Sequence, residues 1–109
     1  MFENALAFNQ PLGAWDVSAV YSINWMFYNA TSFNQPLGDW RVLAVTEFQG
    51  VFESASAFNQ DLCTWGPRVA DEYIATFDTF LGTACPDPSD PVLDTDPRGP
   101  FCFSCQVEI

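Results

Sequence analysis

The stretch "AFNQPLGAWDV", Ala7 to Val17, returns as "SFNQPLGDWRV", Ser32 to Val42, and begins again as "AFNQDLCTWGP", Ala57 to Pro67. Phe8, Phe33 and Phe58 are spaced by 25 residues, and the same step links Asn9, Asn34 and Asn59, Gln10, Gln35 and Gln60, and Leu12, Leu37 and Leu62. Trp15, Trp40 and Trp65 follow it, as do Phe2, Phe27 and Phe52, and Ala5, Ala30 and Ala55. A fixed period of roughly 20 to 50 residues constrains a fold strongly, because one such unit cannot bury its apolar face alone. Copies must stack so that equivalent side chains lie on one another.

Leu12, Trp15, Val17 and Val20, and again Leu37, Trp40, Val42 and Val45, carry the apolar spacing of a leucine-rich repeat. The expected fold is therefore an α/β repeat, a leucine-rich-repeat-like right-handed solenoid. Short parallel strands form one wall, with Trp15 and Val17 inward and Ala14, Asp16 and Ser18 outward, since strand side chains alternate. Val20, Ile23, Phe27 and Ala30 recur at helical spacing and predict short helical turns on the other wall. The Asn and Gln columns sit at a corner, where their amides are expected to bond unpaired backbone groups and stack as a polar ladder.

"WDVSAV" and "MFYNATSFNQPLGDWRV" together resemble the BspA-like leucine-rich-repeat family over about residues 1–85, with Met26, Phe27, Ala30, Phe33, Asn34, Gln35, Pro36, Leu37 and Trp40 fitting its unit. Met1 and Phe2 fit the same phase; the third copy departs at Val51 and Pro67. The resemblance implies a right-handed solenoid of surface or secreted proteins, for which adhesion and surface recognition are the usual suggestions.

Residues 1–85 are expected to form about three units, and 86–109 an irregular cap or tail rich in Pro and Asp. In between the period slips. A step of 25 aligns Phe52 with Phe77, whereas three extra residues within "WGPRVADEY" align Phe52 with Phe80 and Ala55 with Thr83. The chain opens in mid-unit with no cap before Phe2, which reads as a fragment lacking upstream repeats or as an end covered by a partner.

Charge and composition narrow the function. Fourteen acids against three bases give a net charge of -11, which excludes a phosphate-neutralising nucleic-acid binder and disfavours anionic lipid surfaces. No apolar run reaches the roughly 20 residues of a membrane span. There is no histidine, so the commonest general base and metal ligand is missing. Cys63, Cys85, Cys102 and Cys105 read as disulfide candidates pinning the tail over the last unit; a four-thiolate zinc site would need two close pairs, and only "CFSC" is close. That motif follows Gly99-Pro100 in an irregular stretch, not a strand before a helix, so redox catalysis is not expected. Asp87, Asp90, Asp94 and Asp96 match no calcium loop. No cofactor and no metal is expected, and no enzyme activity.

The expected binding surface is the outward row of the strand wall: Asp16, Ser18, Asp39, Arg41, Leu43 and Thr64. These positions differ from copy to copy while the columns repeat. They point to a non-enzymatic surface or extracellular module that recognises a protein or glycan, or else to a spacer with no ligand. "NAT" at Asn29 to Thr31 is an N-glycosylation triplet whose Asn is expected to face solvent.

Overall fold

The computed structural model describes residues 2–69 and 74–105. Met1 and the segment 70–73 lie outside the described residues, and so does the phase assigned to Met1. The α/β solenoid expected from the spacing is not what the chain forms. Among the described residues there is no sheet; regular structure is one 3-10 helix, Cys63–Arg68, and four isolated bridges, of which Ser22 with Glu47 is parallel. The radius of gyration is 12.7 Å, with extents of 38 × 29 × 23 Å, as for a globule of this length rather than an elongated rod.

The reason lies in the turns. The N–H of Trp15 bonds the carbonyl of Leu12, that of Val20 the carbonyl of Val17, and that of Trp40 the carbonyl of Leu37, at 3.0 Å each. Apolar residues three apart are thus the two ends of β-turns, and not partners on a strand or helix face. No lateral main-chain bond joins Trp15–Val17 to the next copy among the described residues. Such bonds appear instead on the wall where helix was expected. There Ile23, Trp25, Phe27 and Asn29 donate to the carbonyls of Glu47, Gln49, Val51 and Glu53 at 2.8–3.0 Å. The alternate N–H groups, those of Met26, Tyr28 and Ala30, close turns within their own copy at 3.0–3.1 Å. These seven N–H groups are satisfied by two alternating routes.

Continuous strand is prevented by left-handed residues in two columns. One holds Asn4, Asn29, Ser54 and Gly82, the other Trp25, Gly50 and Asp78, with φ between 51° and 77°. Gly50 is required twice over: φ is +60°, and a Cβ there would lie 2.3 Å from the Trp25 indole nitrogen.

The period itself is expressed in the core. Phe2, Phe27, Phe52 and Phe80 stack with centroids 5.4, 5.4 and 5.7 Å apart, and Phe8, Phe33 and Phe58 at 5.8 and 6.0 Å. Phe80, not Phe77, therefore continues the Phe52 column: Phe52 and Ser54 donate to Thr79 and Leu81, and Phe77 is exposed. This is the alignment that takes three extra residues, whose surroundings at 70–73 lie outside the described residues. Trp40 and Trp65 are buried, stacked at 6.3 Å, and donate their indole N–H to the carbonyls of Leu12 and Leu37 at 2.9 Å. Trp15 departs from the inward assignment. It is 46 % exposed, because among the described residues no copy lies over it.

The last copy is closed by the tail. Cys63 pairs with Cys105 and Cys85 with Cys102. The Phe101 carbonyl accepts the Leu62 N–H at 3.2 Å, and the Phe101 ring is fully buried. The Arg98 guanidinium donates to the carbonyls of Gly66 and Val69.

Candidate functional site

The outward row lies on the wall built from the turns between Leu12 and Val45. Asp16, Ser18, Asp39, Arg41 and Leu43 are all exposed. Asp16, Ser18, Asp39 and Arg41 line one shallow depression with Gly13, Ala14 and Trp15. Ser18, Arg41 and Leu43 line a second one with Pro67 and Arg68. Five of the six expected residues thus share one surface, although turns rather than strands place them there. Thr64 is diverted: its hydroxyl donates to the Gly38 carbonyl at 2.7 Å, which ties the third copy to the second.

Within this surface the charges are not equivalent. The Ser18 hydroxyl and N–H both donate to Asp16 Oδ1, at 2.6 and 3.0 Å. The side-chain bond and then the backbone bond hold the Asp16 carboxyl below the ordinary aspartate range. Of the three cations, Arg68 donates to the carbonyls of Gly38 and Trp40 at 2.8 and 3.1 Å, and Arg98 is committed to the tail. Arg41 has no hydrogen-bond or ion-pair partner among the described residues. It is an exposed guanidinium on a strongly acidic chain, beside the exposed apolar Leu43.

The polar columns serve the packing. Asn9 Oδ1 accepts the N–H of Asn34 and the Gln35 amide at 2.9 and 3.0 Å, and Asn34 Oδ1 accepts from Asn59 and Gln60 at 2.9 Å each. This is the polar ladder expected from the sequence. Asn29 of the glycosylation triplet does not stand free in solvent: it is partly buried and donates to Asn4 Oδ1 at 3.0 Å. The "CFSC" cysteines pair with distant partners, not with each other. In the tail, Asp90 accepts the N–H of Asp78 at 2.9 Å, and among the described residues no set of carboxylates or cysteines is gathered as metal ligands.

A second concave patch was not singled out from the sequence. Trp15, Val20, Ile23 and Met26 line it with Ser22 and Asn24. Its signal was present in the columns: Trp15, Val20, Ile23 and Met26 occupy positions whose counterparts one step later are all buried.

Comparison with known proteins yields one relationship. Neither a curated protein nor a solved structure matches. The model of a family described as "Mycoplasma protein of unknown function, DUF285" matches residues 1–82, the span that carries the repeated phrase. With three quarters of its length matched, the chain belongs to the DUF285 family.

Proposed function

We propose that this chain is a non-enzymatic, extracellular or cell-surface interaction module that recognises a protein or glycan through Asp16, Ser18, Asp39, Arg41 and Leu43. One observation carries the reading. The three copies agree where they pack and differ where they face solvent, and the differing positions include the one guanidinium that packing leaves unused. The partly buried arginines Arg68 and Arg98 hold backbone carbonyls; Arg41 holds nothing among the described residues. An arginine beside an exposed leucine suits a carboxylate or sulfate flanked by an apolar surface. The two disulfides support an oxidising compartment, and the likeness of the phrase to surface repeat proteins agrees with it. No helix of the described residues is long and apolar enough to cross a membrane.

The test is a binding screen of the oxidised protein against printed glycans, acidic and neutral, and a panel of extracellular proteins. Any ligand found should be lost on Arg41→Ala with Leu43→Asp, at an unchanged melting temperature. A ligand that binds this double variant equally well would remove the surface from consideration. The second reading is a spacer that displays other parts of an assembly. The carboxylate-rich exterior favours it, and a screen empty for the natural chain would support it.

A further inference from the structure

The two disulfides differ in what surrounds their sulfurs. Cys102 is fully buried and Cys85 is 8 % exposed, and both belong to the apolar core. Cys63 and Cys105 are only partly buried. They border a surface depression of about 370 Å³ together with Thr95, Asp96, Pro97 and Arg98. Cys105 borders a second depression as well, beside Asp87, Arg98 and Gly99. Gly99 leaves the Cys105 sulfur without a side chain over it on that side: a Cβ at position 99 would lie 2.9 Å from Cys105 Sγ.

Opening Cys63–Cys105 does not undo the closure of the last copy. The tail is also held by Cys85–Cys102, by the Leu62 N–H on the Phe101 carbonyl at 3.2 Å, and by the Arg98 guanidinium on the carbonyls of Gly66 and Val69. The Phe101 ring adds a fully buried anchor. One disulfide is thus sealed inside the core, and the other is open to solvent and backed by other contacts. Access decides which of two disulfides an external thiol reaches.

We propose that Cys63–Cys105 is a thiol-exchange site, at which an external thiol couples covalently to Cys105. The incoming thiolate attacks Cys105 Sγ. A new S–S bond forms there as the Cys63–Cys105 bond breaks, and Cys63 departs as a thiolate that takes a proton from water. One disulfide is lost and one gained, so the step needs no oxidant and no further reductant. Cys105 is the sulfur attacked because it borders both depressions, whereas Cys63 borders one. Arg98 borders both approaches and attracts the thiolate itself. The chain as a whole carries a net charge of -11 and repels a thiol that bears further negative groups. The substrate class is therefore an uncharged or cationic thiol. None of these residues belongs to the Arg41 row, so the test does not depend on that function.

The experiment treats the oxidised natural chain, without denaturant, with cysteamine, traps free thiols with iodoacetamide and maps every sulfur by peptide mass spectrometry. Cysteamine should appear on Cys105 and the alkyl group on Cys63, roughly tenfold or more ahead of any label on Cys85 or Cys102, as their difference in access implies. The Trp65 indole N–H should stay protected from hydrogen exchange in that product, which marks a reaction of the folded chain. Mercaptoacetate should react several-fold more slowly than cysteamine at low salt, each rate scaled to that on a small free disulfide, and the gap should narrow at high salt. Opening of Cys85–Cys102 first or at the same rate, an adduct on Cys63 in place of Cys105, or loss of Trp65 protection overturns the inference. Equal scaled rates for the two thiols overturn the assigned substrate class.

Discussion

The two ends of this molecule meet water in different ways. At the first, Phe2 and Phe8 each stack on their column's next copy on one side only, Trp15 has just a tilted contact with Phe2 among the described residues, and Trp15 is 46 % exposed against 1 % for Trp40. At the other, Trp65 and Phe58 are as buried as the interior, because the segment carrying Cys85, Phe101 and two disulfides closes on their copy. The residues in each column are the same, so the difference is one of neighbours alone. It shows how much of the stability of a short repeated phrase comes from the copy next to it rather than from the copy itself.

The largest expected effect is at the covered end. Cys63–Cys105 closes a separation of 42 residues and Cys85–Cys102 one of 17; chain-closure entropy assigns them about 4 and about 3 kcal/mol. Urea denaturation with and without reductant should show a loss of that order. Reduction that shifts the midpoint hardly at all would mean that the tail holds by packing alone.

How much of this was legible in the sequence depends on the position. The Phe columns and the Asn–Gln ladder were readable, because a side chain repeated at a fixed step must meet its own copy. So was the cysteine closure, because Cys63 lies in the last copy and the other three lie in or beside the tail. The strands and helices were misread at Trp15–Val17 and Val20–Ala30, since apolar residues three apart fit turns as well as they fit helices. The distinguishing signal was Asn4, Asn29, Asp78, Gly50 and Gly82, which recur in the two left-handed columns. Asn, Asp and Gly tolerate that backbone, but Trp25 and Ser54 share the columns and hide the pattern. The inward assignment of Trp15 failed for another reason: a column predicts burial only where a neighbour exists.

A smaller effect separates the tryptophans. Trp40→Ala should cost about 3 to 5 kcal/mol, as for large aromatic truncations in a core, and it also removes one of the two hydrogen bonds to the Leu12 carbonyl. Trp15→Ala should cost less than half of that, since its ring is half in water already and its indole has no hydrogen bond among the described residues. Equal losses in thermal melts would break the comparison between the ends.

The smallest effect sharpens it. The Asn ladder is directional: Asn9 and Asn34 each accept from the following copy, whereas no acceptor role falls to the Asn59 side chain among the described residues. Asn9→Ala and Asn34→Ala should each cost about 1 to 2 kcal/mol, the net worth of two partly exposed hydrogen bonds. Asn59→Ala should cost close to nothing. The open end thus carries the costlier asparagine, the reverse of the tryptophan order.

The central claim is that each copy is protected by the copy before it, through contacts repeated at a step of 25 residues. Residue-resolved hydrogen exchange on the oxidised natural chain tests it most directly. The indole N–H of Trp40 and Trp65 and the amide N–H of Asn34 and Asn59 should be strongly protected, while the Trp15 indole and the Asn9 amide exchange freely. Protection of Trp15 and Asn9 equal to that of their later counterparts would contradict it.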